Sequence, residues 1–225
     1  MVFRVLVTGF GPYGTTTINP SLAVVKALQS NLTSQGIDIV ACEVTCEFNK
    51  CIRETSALID EHQPDAVIML GEYPGRAMVT VERVAINYND ATRYGLSDEA
   101  GYAPQGTKIV EGGPAAYFST LPLRRIVRDL RAAGIPADIS GDAGTLMCNH
   151  LMYGILHAVN GRDITAGWVH LPALPEEAAK DVNLGMPSMT AELSTRAVLS
   201  VVASLVENAR QGGDISDAVR SRLLV

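Results

Sequence analysis

A chain of 225 residues with 47% hydrophobic and 19% charged side chains fits one α/β domain and can furnish a proper core. Its formal charge of −6, 18 basic against 24 acidic residues, excludes the basic face that phosphate recognition needs, so no nucleic-acid partner is expected. No stretch approaches the roughly 20 apolar residues of a membrane span, and the N-terminus MVFRVLVTGF reads as a first strand rather than a signal peptide, so a cytoplasmic location with reduced thiols is expected.

Strand-like and helix-like runs alternate along the chain, the pattern of an α/β fold with a mostly parallel sheet. Residues 2–8 form a β-branched run ending at the glycine-rich turn GFGPYG. Asn19 then caps a helix that Pro20 opens. A strand over 37–44, a helix over 50–62 and a short buried strand over 66–70, closing at Gly71, follow. Residues 78–86 read as one strand with Glu82 in its middle, and 88–113 as a long loop with a short hairpin. A helix over 123–133 and a strand over 137–140 lead through the turn 141–144 into a helix of about a dozen residues starting at Cys148. A strand over 164–170, a second long loop over 171–189 and an amphipathic helix over 190–210 complete the domain, taken as 1–225. Arg124, Arg125, Arg128 and Arg131 fall at helical spacing and read as a solvated helix face.

Of four cysteines, Cys42, Cys46 and Cys51 have spacings too wide for a zinc site and no histidine beside them, so no metal is expected. Cys148 differs. It sits where a small-residue turn enters a helix, and the unpaired amides there lower a thiol pKa and can hold an oxyanion. A buried structural cysteine is the competing reading. A nucleophile needs a base, and of four histidines His170 is the best placed, because it ends an apolar strand and sites gather at the carboxyl ends of parallel strands. His150, two positions after Cys148, points away from it on a helix. Glu82 shares a strand face with Met78, Thr80, Val84 and Ile86, where a carboxylate needs a partner. The ring N–H of His170 would be a useful one, and an exposed edge-strand glutamate is the alternative.

Five segments together resemble the pyroglutamyl peptidase I (pyrrolidone-carboxylate peptidase) family: VTGFGPYG at 7–14, INPS at 18–21, VERVAINYND at 81–90, GTLMCNHLMYG at 144–154 and WVHLP at 168–172. The resemblance implies a cysteine peptidase with a Cys148–His170–Glu82 triad on a three-layer α/β/α sandwich, with no metal or cofactor, frequently as a homotetramer. The implied substrates are peptides with an N-terminal pyroglutamyl residue, whose ring Phe10 and Tyr13 would line, with Asn19 organising the loop beneath. Four positions depart from the family pattern. Tyr13 stands where a second phenylalanine is common, Glu72 where a glutamine follows the strand-end glycine, and Leu146 where an aromatic precedes the cysteine. The family's N-D-A-R, which places an arginine near the oxyanion, becomes Asn89-Asp90-Ala91-Thr92-Arg93, so that Arg93 or Thr92 would have to serve. Two other readings stay open: a thiol hydrolase of another small cyclic or N-blocked amide, and a binding protein on the same fold.

Overall fold

The computed structural model describes residues 2–14, 16–29, 33–34 and 36–221. Along the chain run β1 (Phe3–Phe10), α1 (Pro20–Gln29), β2 (Thr33–Ser34), β3 (Ile37–Val44), α2 (Lys50–His62), β4 (Ala66–Glu72), β5 (Val79–Glu82) and β6 (Val84–Ile86). Then come β7 (Asn89–Asp90), β8 (Gln105–Thr107), β9 (Ala116–Phe118), α3 (Leu123–Ala132), β10 (Ala137–Ser140), α4 (Met147–Ala158), β11 (Thr165–Leu171), α5 (Pro175–Ala178) and α6 (Ala191–Gln211).

The main sheet has the order β10-β5-β11-β4-β1-β3-β2 among the described residues. Strands β3, β1, β4 and β11 run parallel. β5 meets β11 antiparallel and carries β10 parallel beside it, so the sheet is mostly parallel with one reversal. Alternation along the strands builds the layers. Val5, Val7, Ile68, Leu70, Val81, Val169 and Leu171 face one way and pack against α1, α3 and α6. Leu6, Val67, Met69, Ala166 and Trp168 face the other way and pack against α2 and α4. The result is the expected three-layer α/β/α sandwich. Each buried Val, Leu or Ile contributes about 1.5–3 kcal/mol, so both faces are firmly committed. Register then fixes function, because a one-residue slip would carry every even-numbered side chain of β11 to the wrong layer.

Local signals set the helix ends. Asn19 Oδ1 accepts the Ser21 amide at 3.0 Å, the capping expected ahead of Pro20. Thr190 Oγ1 accepts from the Leu193 amide at 3.2 Å and starts α6. The single strand expected over 78–86 is two. β5 ends at Glu82 inside the main sheet, while β6 leaves it to pair with β9. Arg83 is the pivot: its amide donates to Ser140 O and its carbonyl accepts from Ser119 N, so the chain is held by two different neighbours at one residue. The loop over 88–113 does contain a short antiparallel pair, β7 with β8. Arg125 departs from the solvated face expected of α3. It is buried and bonds Gln211 Oε1 at 2.8 Å, tying α3 to the end of α6. Cys42 lies in β3 and Cys46 in the turn after it. No helix among the described residues is long and apolar enough to cross a membrane.

Candidate active site

Phe10, Glu72 and His170 reach the same edge of the sheet because β1, β4 and β11 are parallel and end there. His170 has the parity of Ala166 and Trp168 and therefore faces the α4 layer. Thr80 is its antiparallel partner on β5, and Glu82, two residues on, is the diagonal neighbour on the same face. Such diagonal positions are about 7–8 Å apart, within reach of a long side chain. Glu82 closes that gap: its Oε1 lies 2.7 Å from His170 Nδ1. The pair is sealed from water, with Glu82 0% and His170 2% exposed. A hydrogen on Nδ1 donating to the carboxylate leaves Nε2 as the nitrogen open to chemistry.

Cys148 comes from the opposite side. The turn before α4 holds Gly144 at φ 81°, its amide donating to Asp142 Oδ1 at 2.8 Å. Leu146 in extended conformation caps α4, and Cys148 occupies its first turn, where the amides have no intrahelical acceptor. The sulfur lands over Gly71, the β4 residue in register with His170. A Cβ built on Gly71 would stand 3.0 Å from Cys148 Sγ and 2.6 Å from Trp168 Cζ2. The thiol of α4 thus lies over the strand beside that of the imidazole, on one face of the sheet. Only a hydrogen fits at Gly71. Gly71→Ala is expected to cost about 1–3 kcal/mol of stability by overpacking and roughly 10²-fold in turnover by displacing the sulfur; near-wild-type kinetics would show that the thiol's placement over β4 is unimportant.

One expectation about Cys148 is corrected. Burial pushes its thiol pKa up, and the Glu82 carboxylate adds to the effect, outweighing its own backbone amide. Desolvation beats the helix terminus here, so the resting group is a thiol rather than the expected thiolate. The remaining cysteines are structural by position. Cys46 and Cys51 are buried in the α2–α4 layer, and burial pushes Cys51 up to about 12. Among the described residues no cluster of His, Cys, Asp or Glu could hold a metal ion.

Burial raises the Glu82 pKa, but the His170 hydrogen bond, the Ser140 hydroxyl and the Arg76 charge together hold it below the ordinary carboxylate range. Arg76 is a residue that sequence reasoning missed. Its Nη1 donates to Glu82 Oε1 at 2.9 Å and to Thr80 Oγ1 at 2.6 Å, and its guanidinium lies 3.6 Å over the Tyr73 ring. Tyr73 in turn meets the His170 ring edge-on at 5.3 Å. The signal was faint: an arginine in the turn leading into a strand with a buried glutamate.

A cavity of about 150 Å³ opens beside the sulfur, lined by Phe10, Tyr13, Asn19, Glu72, Leu146 and Cys148, with Thr16, Leu96 and Met147 among its other walls. Asn19 shapes it from beneath, donating to Gly11 O at 2.8 Å. Thr92 and Arg93 are not part of it. Both are exposed on a single 3-10 turn, where Asp90 Oδ1 accepts from the Thr92 hydroxyl and the Arg93 amide, and the Arg93 guanidinium sits 5.1 Å from the Tyr94 ring. His150 also lies apart, accepting the Asn49 amide at 2.8 Å and contacting Asn89. Burial lowers its pKa to about 4.

A thiol at a helix start, an imidazole oriented by a buried carboxylate and a small cavity beside them define the class of cysteine hydrolases. The sequence profile of pyroglutamyl peptidase matches residues 3–208, and the chain belongs to this family of cysteine peptidases. The pyrrolidone-carboxylate peptidase of Mycobacterium marinum is 49% identical over 224 residues, 99% of each chain. The crystal structure of pyroglutamyl peptidase I from Bacillus amyloliquefaciens superposes with a TM-score of 0.88 at 37% identity, covering 97% of this chain and all of that one. For the pyrrolidone carboxyl peptidase of Thermococcus litoralis the TM-score is 0.90 at 33% identity, with the same coverage.

Proposed function

We propose that the protein removes N-terminal pyroglutamyl residues from peptides by acyl transfer through Cys148. The observation that carries this reading is the convergence of the Cys148 sulfur, over Gly71, with the register-paired His170, whose Nδ1 is bonded to buried Glu82. The pyroglutamyl ring occupies the cavity beside the sulfur, against Phe10, Tyr13 and Leu146. Because the resting thiol is protonated, its proton passes to His170 Nε2 as sulfur bonds to the acyl carbon. The oxyanion is held by first-turn amides of α4, Cys148 N–H among them, since Arg93 and Thr92 stand outside the cavity. The imidazolium then protonates the departing amine as the C–N bond breaks. Water attacks the thioester with His170 as base, and the proton returns to sulfur. Glu82 fixes the tautomer and steadies the imidazolium throughout.

The test is release of an amine fluorophore from pyroglutamyl, prolyl and acetyl-alanyl amides, with and without prior thiol blocking. Cleavage confined to the pyroglutamyl amide and abolished by the block is the expected result; preference for another amide would reassign the pocket. A cytoplasmic homotetramer belongs to the same proposal. Phe118, Val182 and Leu184, exposed at 70%, 88% and 77%, are apolar side chains that such an assembly would cover.

A further inference from the structure

Glu72 stands out on the wall of the ring cavity. It ends β4 one residue beyond Gly71 and shares the cavity with Phe10, Tyr13, Leu146 and Cys148. Its Oε1 is buried and has no hydrogen-bond partner among the described residues. Thr16 bonds the carboxyl, but with one buried oxygen unpaired the ionised form is far more costly than the neutral acid.

We propose that Glu72 determines the specificity of this cavity as an uncharged acid, so that occupancy by an uncharged lactam ring and a proton on Glu72 go together. The proposal rests on the peptidase reading of the site and adds a proton to it. A ring entering the cavity displaces the water that still solvates the carboxyl, and a lactam brings no counter-charge. Binding therefore disfavours the ionised form, and by linkage the proton favours binding. The neutral acid also matches a cis-lactam, because each presents one donor and one acceptor.

The charged and titratable surroundings agree. Burial pushes Glu72 up to about 7, and Glu177 of α5 adds to this, while the Thr16 hydrogen bond and Lys180 oppose it. The Lys180 charge is largely spent elsewhere: its Nζ lies 2.7 Å from Glu177 Oε2 and 2.8 Å from Thr17 Oγ1. From α4 the cavity presents Cys148, a neutral thiol at rest, and from the loop after β1 it presents Tyr13, whose burial raises its own pKa. His170 pairs with Gly71 rather than Glu72 and is bonded to Glu82. Among the described residues the cation that acts on Glu72 is Lys180, which is already paired with Glu177.

The probe is 2-pyrrolidone, the bare lactam, uncharged at every pH used, measured as a competitive inhibitor of pyroglutamyl-amide cleavage. Its inhibition constant should be flat below pH 6 and rise about thirtyfold between pH 6 and pH 8.5. Glu72→Gln keeps the shape without the titration and should hold the constant within about twofold over the whole range. A second readout needs no variant. Calorimetry at pH 7.5 in buffers of different ionisation enthalpy should show uptake of about 0.8 proton per ring bound. Pyroglutamyl-specific cleavage with a pH-flat inhibition constant, an unchanged slope in Glu72→Gln, or zero proton uptake each overturns the role of Glu72 and leaves the peptidase standing. No pyroglutamyl cleavage at any pH overturns both.

Discussion

Cys148→Ser is expected to lower kcat/KM for a pyroglutamyl amide by at least about 10⁴-fold, close to 5.4 kcal/mol of barrier, with the fold intact. The size follows from where the sulfur sits. Burial and Glu82 already keep the resting group protonated, so the step that costs most is moving a proton to His170 while the nucleophile attacks. A thiol can do this at neutral pH because its proton is only moderately tight and its sulfur is intrinsically nucleophilic. A serine hydroxyl holds its proton far more strongly, and the surroundings that raise the thiol would raise it too. The substitution removes little volume, and the contacts of α4 with Trp168 and Gly71 relax rather than clash. Circular dichroism and thermal melting should therefore match the parent while turnover is lost. Activity within tenfold of the parent would remove Cys148 from the nucleophile's role.

How much of this was legible from residues alone differs by layer. Strands β1, β3 and β4, helices α1, α2, α4 and α6, and the mostly parallel order could be read because their apolar periods are long and signals such as the Asn19 cap of α1 are local. The break at Arg83 could not. Val84, Ala85 and Ile86 continue the strand pattern of Val79–Glu82, and only the hydrogen bonds of Arg83 to Ser140 O and from Ser119 N, distant in sequence, divide them. The same holds at the site. Cys148, His170 and Glu82 each carried a local signal: a turn-to-helix junction, a strand end, a carboxylate on an apolar face. Arg76 carried only a faint one and Tyr73 and Gly71 none, since their importance comes from what folding lays over them. The thiol pKa was misjudged for a related reason. A helix start is visible in sequence, but the desolvation that overrides it is a property of the assembled layers.

His170→Ala and Glu82→Gln are expected to part company in opposite directions on two measurements. His170→Ala removes the group that takes the thiol proton and returns it to the leaving amine, so kcat should fall by roughly 10³–10⁴-fold. Stability should fall less than in Glu82→Gln, since Glu82 keeps its bonds to Arg76 and Thr80 when the buried ring is truncated. Glu82→Gln keeps an oxygen able to accept from Nδ1, held inward by the Arg76 and Thr80 donors to the same position, and so preserves the tautomer. What it loses is the charge that steadies the imidazolium, and its cost in kcat should be smaller by about tenfold or more. Stability is another matter. The carboxylate lies fully buried 2.9 Å from Arg76 Nη1, and neutralising it strands a guanidinium that is only 14% exposed. Breaking a buried pair from one side costs roughly 3–5 kcal/mol, about 10 °C in melting temperature for a chain of this length. The Glu82 carboxyl is held below its ordinary pKa, so this contribution is fully present at neutral pH and disappears only as pH falls through the lowered value. The comparison therefore belongs at pH 7. Adding Arg76→Met to Glu82→Gln should recover most of the lost stability and none of the lost turnover, because it removes the stranded charge without restoring the imidazolium's partner. A Glu82→Gln protein that melts like the parent would mean that Arg76 does not depend on this carboxylate. One that turns over like the parent would make Glu82 a structural residue and leave His170 to work alone.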